Sequence, residues 1–85
     1  MDIKFYGLTT CIHCKNAKTY LEECGINFTP VFVDRLQGDE RKAMIEQIKE
    51  YNPATSFPTM VLNGTVVIGF NKDKINNALG IDGPK

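Results

Sequence analysis

The sequence predicts one α/β domain, in which a four-stranded mixed sheet has helices packed on its faces. Apolar residues alternate with polar ones in some segments, as in strands, and recur every three or four residues in others, as in helices. An Asn63-Gly64 pair between two apolar runs is a strong hairpin signal. The resulting element order is β-α-β-α-β-β-α, and we expect residues 1–85 to fold as this single domain.

The first three elements are expected to form a β-α-β unit. A strand over about residues 2–6 is followed by a helix over about residues 11–24, for which Gly25 provides the stop signal. A second strand spans about residues 27–33, where Pro30 favours a sheet edge because proline cannot donate to a neighbouring strand. Strands joined through a helix in this way run parallel, with a right-handed crossover.

The second half of the chain predicts a helix, a hairpin and a last helix. The helix covers about residues 39–51 and ends before an Asn-Pro pair. Residues 59–62 and 65–68 form the two hairpin strands, and Asn71 and Gly80 provide the caps of the last helix. The residues expected to face inward on these two helices are Met44, Ile45, Ile48, Ile75, Ala78 and Leu79.

Composition excludes several classes of partner. Ten basic and ten acidic residues cancel, and like charges do not cluster, so the chain has no electrostatic footprint for nucleic acid. The longest apolar runs are far shorter than the ~20 residues that a membrane span needs, and the amino terminus has no apolar signal segment. We therefore expect a cytoplasmic, monomeric protein that binds neither nucleic acid nor membrane.

Cys11 and Cys14 stand two residues apart at the junction of the first strand and the first helix. A helix beginning near Cys11 separates them by roughly 4.5 Å along its axis, which suits a disulfide. The unpaired N–H groups of the first turn favour a thiolate, so the pKa of Cys11 is expected below the roughly 8.5 of a free thiol. This placement is a thioredoxin-like redox signature, with Cys11 as the exposed nucleophile and Cys14 as the buried resolving thiol.

The third cysteine and the single histidine require other kinds of site to be considered, namely a second redox thiol, a zinc site and a c-type haem. Cys24 lies about 15 Å along the helix from Cys14, so we interpret it as a buried, inert thiol, with oxidation into an intermolecular dimer as the alternative. A zinc site needs four ligands, whereas this chain has one close cysteine pair with His13 inside it, and we predict no metal site. A c-type haem would need histidine where Lys15 stands.

Three short motifs, spread over nearly the whole chain, resemble those of the glutaredoxin family. The first resembles the family's redox motif, and the second resembles its Thr-Val-Pro segment. The third resembles the Gly-Phe-x-x-Asp of NrdH-type redoxins more closely than the Gly-Gly-Cys-Asp of ordinary glutaredoxins. The resemblance implies a thioredoxin-like three-layer sandwich, with a four-stranded mixed sheet and three helices. In order, the motifs are Cys11-Ile12-His13-Cys14, Ser56-Phe57-Pro58-Thr59, and Gly69-Phe70 followed by Asp73.

The resemblance also implies which residues surround the substrate. In the family the peptide bond before the proline that matches Pro58 is cis, and the residue matching Phe57 offers its backbone N–H and C=O to a bound peptide or glutathione. Pro30, Pro53 and Pro84 are expected to follow ordinary trans bonds. The implied substrate-binding residues are Thr10, His13, Phe57, Pro58, Gly69, Phe70 and Asp73.

Three of these positions also have simpler interpretations. Asp73 suits the first turn of the last helix whether or not it contacts a ligand. Phe70 is either a partly exposed residue that docks a reductase or a core residue packed under the hairpin. His13 is either an exposed first-turn residue or a ring whose positive charge stabilises the Cys11 thiolate and raises the reduction potential.

The resemblance implies a small dithiol/disulfide oxidoreductase, an electron carrier that reduces protein or mixed disulfides and has no bound cofactor. Ordinary glutaredoxins have Cys-Pro-Tyr-Cys, and a basic residue three positions before the first cysteine helps to hold a glutathione carboxylate. Here Ile12 and His13 stand between the cysteines, and Leu8 stands at the basic position. Either glutathione or a thioredoxin-reductase-type protein is therefore expected as the reductant. The alternative functions are an iron-sulfur cluster carrier and a non-enzymatic interaction module.

Overall fold

The computed structural model describes residues 2–83, and within that range it has four strands and three α-helices in the predicted order. A short 3-10 turn, Val33–Arg35, follows the second strand. The predicted α/β class is confirmed. The elements are β1 (Ile3–Gly7), α1 (Ile12–Glu23), β2 (Pro30–Phe32), α2 (Gly38–Tyr51), β3 (Thr59–Leu62), β4 (Thr65–Ile68) and α3 (Lys72–Leu79).

The strands form one mixed sheet in the order β2-β1-β3-β4. β1 runs parallel to β2, whereas the β1–β3 and β3–β4 pairs are antiparallel. Tyr6 lies opposite Thr59, and Thr59 lies opposite Ile68. Because of this register, the segments after β1, before β3 and after β4 all emerge at the same end of the sheet.

Helices cover both faces of the sheet, because neighbouring strand residues point to opposite sides. Phe5 lies in a larger core cluster that includes Leu21 of α1 and Ile75 of α3. Tyr6 lies in a smaller cluster with Val33 and with Ile48 of α2. The three layers are therefore α1 and α3, the sheet, and α2.

The bounds of β2 differ most from the sequence prediction, and those of β1, α1 and α2 differ by one residue at one or both ends. β2 covers Pro30–Phe32 rather than residues 27–33, because this edge strand pairs only with the last three residues of β1. The chain then turns, which buries Val33 against α2. At the start of α1, Cys11 is the extended N-cap rather than the first helical residue.

The turns and caps of the second half follow the prediction. Asn63 and Gly64 have φ values of 55° and 89° and join β3 to β4. The Asn71 side chain accepts a hydrogen bond of 3.1 Å from the Lys74 N–H, and Gly80 ends α3 with a left-handed φ of 69°. Among the described residues, no helix combines the length and the apolar character that crossing a membrane requires.

Candidate active site

The turn between β1 and α1 presents the two nearby cysteines from one short segment. The Cys11 N–H donates to the Leu8 C=O (3.2 Å), and the Cys11 C=O accepts from the Lys15 N–H (3.1 Å), which begins the helical hydrogen bonds. Both cysteines are free thiols. Cys11 is partly exposed and Cys14 is fully buried, as expected for an attacking and a resolving thiol.

The Cys14 sulfur is packed tightly against the end of β1. A Cβ atom added at Gly7 would lie 3.1 Å from both the Cβ and the Sγ of Cys14, and 3.1 Å from the Phe5 ring. The Leu8 N–H donates to the Cys14 Sγ at 3.5 Å. Gly7 was not singled out from the sequence, although its place at the end of a strand leading to the cysteines is a usable signal. Its lack of a side chain makes room for the resolving sulfur.

The two thiols have pKa values shifted in opposite directions. Partial burial opposes ionisation of Cys11, but hydrogen bonds from the Cys14 thiol and from the backbone N–H groups of Cys14 and His13 outweigh it, so the Cys11 pKa is lowered. Burial is the main cause that raises the Cys14 pKa to about 12. The Leu8 N–H opposes that rise, whereas the hydrogen bond to Cys11 and the charges of Cys11 and Asp34 add to it. The predicted lowering of the Cys11 pKa is confirmed.

Asp34 holds the cysteine turn from the segment after β2. One of its carboxylate oxygens accepts from the Thr9 N–H (3.0 Å), and the other accepts from the Thr9 hydroxyl. Hydrogen bonding from the Thr9 side chain and then from its backbone lowers the Asp34 pKa. No local pattern signals this long-range pair, because 25 positions separate the two residues.

The loop before β3 lies beside the cysteine turn at the same end of the sheet. The Phe57–Pro58 peptide bond is cis, as the family resemblance implied. The Pro58 C=O accepts from the Gly69 N–H at 2.8 Å, which joins this loop to the segment after β4. Phe57 is partly exposed and packs against both core clusters. Among residues 2–83, its backbone N–H and C=O have no hydrogen-bond partner.

A buried asparagine holds this loop from the end of α2. The Asn52 Nδ2 lies 3.0 Å from both the C=O oxygen and the Oγ of Ser56, and 3.1 Å from the Thr59 Oγ1. Its Oδ1 accepts from the Ala54 N–H at 3.2 Å. From the sequence Asn52 appeared only as the end of a helix. Its hydrogen bond to the Ser56 C=O shows that it also holds the backbone before Pro58.

The other predicted site residues lie around the same end of the sheet or on the following helix. Thr10 and His13 are exposed, in the cysteine turn and in the first turn of α1. Asp73 is exposed in the first turn of α3. Phe70 packs edge-on against Tyr20, with ring centroids 5.8 Å apart, and remains partly exposed. Phe70 therefore packs at the edge of the larger core cluster and keeps part of its ring exposed to solvent.

Cys24 and the described prolines agree with the expectations from the sequence. Cys24 is 4% exposed at the C-cap of α1, and burial raises its pKa. Pro30 and Pro53 follow trans bonds as expected, and Pro84 lies outside the described residues. Within residues 2–83, no three histidine, cysteine or acidic side chains are grouped as metal ligands would be.

The sequence of this chain is similar to a known protein family and to one of its members. A protein-family model described as glutaredoxin matches residues 3–67. A glutaredoxin-like 8.6 kDa protein of the rubredoxin operon of Clostridium pasteurianum, itself uncharacterised, is 31% identical over 77 residues. That alignment covers 91% of this chain and 96% of the relative.

Solved structures show the same likeness. Methanoredoxin from Methanosarcina acetivorans is 42% identical, with a TM-score of 0.87 over 93% of this chain and 84% of its own. The glutaredoxin-like NrdH-redoxin from Escherichia coli is 25% identical, with a TM-score of 0.74 over 91% of this chain and 93% of its own. The described fold is thus shared over more than nine-tenths of this chain, and over 84% of methanoredoxin and 93% of NrdH-redoxin.

Proposed function

This chain belongs to the glutaredoxin family, and we propose that it is an electron carrier that reduces protein or mixed disulfides through Cys11 and Cys14. Thiol-disulfide oxidoreductase activity itself follows from the family. One observation supports this assignment of roles above the others. A partly exposed thiol with a lowered pKa stands three positions before a buried thiol whose pKa is raised to about 12, at the start of one helix.

The first step is attack by the Cys11 thiolate on one sulfur of the substrate disulfide. The substrate S–S bond breaks, a mixed disulfide forms with Cys11, and the departing sulfur takes a proton from water. Before this step, the Cys14 S–H donates to the Cys11 sulfur, which stabilises the thiolate. Partial exposure of Cys11 leaves its sulfur open to the substrate.

The second step is attack by Cys14 on the Cys11 sulfur. Burial keeps the Cys14 pKa high, and the hydrogen bond and charge of Cys11 raise it further. Formation of the mixed disulfide removes the Cys11 charge, so the Cys14 pKa falls and its proton leaves more readily. The Leu8 N–H remains to stabilise the developing thiolate. Attachment of the substrate thus makes the Cys14 thiol more reactive.

The products balance in atoms and electrons. Cys14 displaces the second substrate sulfur, which leaves as a thiol, and a Cys11–Cys14 disulfide forms. Two electrons pass to the substrate, and an external thiol or a flavoprotein reductase must return two electrons before the next turnover.

The backbone at Phe57 is the proposed guide for the substrate. Its N–H and C=O are without partners among residues 2–83, and they belong to a loop that Asn52 and Gly69 hold in place. An extended peptide can pair with such groups as an added strand. Thr10, His13, Gly69, Phe70 and Asp73 are proposed as further contacts of the substrate or the reductant.

For the electron donor, we propose a thioredoxin-reductase-type flavoprotein rather than glutathione. Leu8 has an apolar side chain that packs, partly buried, against the smaller core cluster. Because the side chain is uncharged, this position supplies no cation for a glutathione carboxylate. The similar NrdH-redoxin is described as having a thioredoxin-like activity profile. Oxidised protein should be reduced rapidly by thioredoxin reductase with NADPH and slowly by glutathione, and the reverse order would contradict the proposal.

Disulfide reduction in an insulin assay tests the roles of the two cysteines. Cys11→Ser should abolish turnover, because no nucleophile remains. Cys14→Ser should stop after the first step and leave a mixed disulfide on Cys11 that mass spectrometry detects. Cys24→Ala is the matched control, since it removes a buried thiol from the same helix without touching the site. Turnover that survives Cys11→Ser, or that is lost in Cys24→Ala alone, would overturn the assignment.

A further inference from the structure

A cavity of about 460 Å³ lies beside the cysteine turn, between α1 and the edge of the sheet at β2. We propose that this cavity, the cationic groove, binds an acidic segment next to the disulfide of a protein substrate. This inference rests on the proposed function and names the substrate class that Cys11 attacks. The residues that line the cationic groove are Leu8, Thr9, Lys15, Lys18, Phe32 and Arg35.

The cationic groove shares its wall with the segment that holds the nucleophile. The Leu8 C=O accepts from the Cys11 N–H at 3.2 Å, and the Lys15 N–H donates to the Cys11 C=O at 3.1 Å. Residues on both sides of Cys11 therefore line the groove. A chain whose disulfide has reached Cys11 has its neighbouring residues within reach of this surface.

The charges of the groove are locally unbalanced, although the whole chain has ten basic and ten acidic residues. Three of the six lining residues are cations. Lys15 and Arg35 form no ion pair with any of the described residues, whereas Lys18 lies 3.2 Å from Glu22. These cations can bind carboxylates of a partner.

No acidic side chain lines the groove among the described residues, but two acidic residues contact its lining residues. Asp34 accepts from the Thr9 N–H and from the Thr9 hydroxyl, one with each oxygen. Glu22 pairs with Lys18 on the exposed face of α1. Asp34 therefore supports the groove wall while keeping its negative charge, and the three lining cations exceed the two nearby carboxylates by one.

The lining residues also include an apolar part. Leu8 and Phe32 are partly buried and pack against the smaller and the larger core cluster, respectively. Their remaining surface can accept an apolar side chain. A segment with carboxylates around an apolar residue complements this combination, whereas a free inorganic anion would use only the cations.

Rate measurements with a matched pair of peptides test the proposal. Both peptides contain one disulfide and the same sequence, but one has Asp and Glu on either side where the other has Asn and Gln. The reduced protein is mixed with each peptide, and thiol exchange is quenched and followed by mass spectrometry, so no electron donor is needed. We expect a second-order rate constant about fivefold higher for the acidic peptide at low salt, falling toward the neutral peptide's value at high salt.

A triple variant, K15Q/K18Q/R35Q, locates the effect. It should remove the preference for the acidic peptide while leaving exchange with the neutral peptide within about twofold, because steering acts on charged partners. Any change in Cys11 reactivity itself would shift both peptides equally. The matched control is R41Q/K42Q/K49Q on α2. It also removes one arginine and two lysines, one of which pairs with a glutamate 3.6 Å away.

The outcomes separate this inference from the proposed function. Exchange with both peptides at equal rates, or an equal loss of preference in the α2 control, overturns the groove and leaves the redox function intact. Exchange with neither peptide overturns the redox function and the groove with it. Glutathione disulfide serves as a third substrate. If K15Q/K18Q/R35Q lowers the rate constant for glutathione disulfide as much as the rate constant for the acidic peptide, the assignment to a protein segment is overturned.

Discussion

Helix α1 has a cysteine at each end, and the two ends treat a thiol differently. Cys11 is the N-cap, where hydrogen bonding from the Cys14 thiol and then from the backbone N–H groups of Cys14 and His13 lowers the pKa of its thiol. Cys24 is the C-cap, 4% exposed, with a pKa that burial raises and the Glu23 charge raises further. We therefore expect the same side chain to be reactive at the amino end and protected at the carboxyl end.

The difference teaches that the surroundings of each thiol, rather than the residue type, set its pKa: the Cys14 thiol and first-turn N–H groups lower that of Cys11, and burial raises that of Cys24. The amino end of a helix offers unpaired N–H groups and a positive partial charge, and the carboxyl end offers carbonyl oxygens and a negative one. Burial differs between the two ends, since Cys24 is nearly completely buried and Cys11 is only partly buried. Each of these contributions can be altered separately.

The largest expected effect is on alkylation of the reduced protein at neutral pH. Iodoacetamide should modify Cys11 about a thousandfold faster than Cys24, because Cys24 reacts only after local opening and as a thiol of raised pKa. Peptide mass spectrometry over a time course measures both rates in one sample. Alkylation in urea is the control, since unfolding should bring the two rates together. Similar rates in the folded protein would contradict the comparison.

The second effect concerns the tight packing at the amino end. Gly7→Ala should lower the free energy of unfolding by about 2 kcal/mol, because the new methyl group has no space beside Cys14 and Phe5. Urea denaturation of the reduced protein measures the loss. In a Cys14→Ala background the same substitution should cost less, because one of its close contacts, the sulfur, is absent. An equal loss of stability in both backgrounds would show that the Cys14 sulfur is not what excludes a methyl group at position 7.

The third effect is a loss of stability at alkaline pH. The Cys14 pKa is about 12 in the folded protein, above the roughly 8.5 of an unfolded thiol. Its stabilising contribution is therefore complete below the unfolded value and is lost as pH rises toward the folded value. Cys11 acts in the opposite sense, since its lowered pKa gives a contribution that is lost as pH falls.

Urea denaturation of the reduced protein between about pH 8.5 and 10 should show this loss, at up to about 1.4 kcal/mol per pH unit. The Cys14→Ala variant should have a shallower pH dependence. Oxidised protein, in which Cys14 has no proton to lose, should follow that variant. A Cys14→Ala variant as pH-sensitive as the unmodified reduced protein would contradict the assignment of the pKa.

Local patterns in the sequence were enough to predict the order of the elements and several of their ends. The hairpin strands, Thr59–Leu62 and Thr65–Ile68, have the predicted bounds, because an Asn-Gly turn fixes its own neighbours. The end of β2 was not predictable in this way. It depends on how many residues of β1 are available to pair and on the burial of Val33 against α2, which are both long-range contacts.

The candidate site divides in the same manner. The cysteine pair is a contiguous motif, so its position at a helix start could be inferred. Gly7, Asp34 and Asn52 support the site from a strand end, a 3-10 turn and a helix end, and only the fold brings them to it. The contacts of Asp34 and Asn52 leave no spacing pattern in a single sequence, whereas Gly7 is signalled only by its place just before the cysteine turn.

The smallest expected effect concerns His13, which lies between the two cysteines. Its backbone N–H contributes to the lowered pKa of Cys11, and a His13→Gln substitution keeps that N–H while removing the ring that can become positive. If the ring charge also stabilises the Cys11 thiolate, the variant should have a reduction potential lower by at least about 10 mV, or roughly 0.5 kcal/mol. Equilibration with a glutathione redox buffer at about pH 6 measures the potential.

A His13→Lys variant separates the ring charge from other effects of the substitution. It replaces the ring with a side chain that carries a positive charge, so it should hold the potential up where His13→Gln lowers it. A difference below about 10 mV between the unmodified protein and His13→Gln would leave the backbone N–H group as the sole contribution of this position.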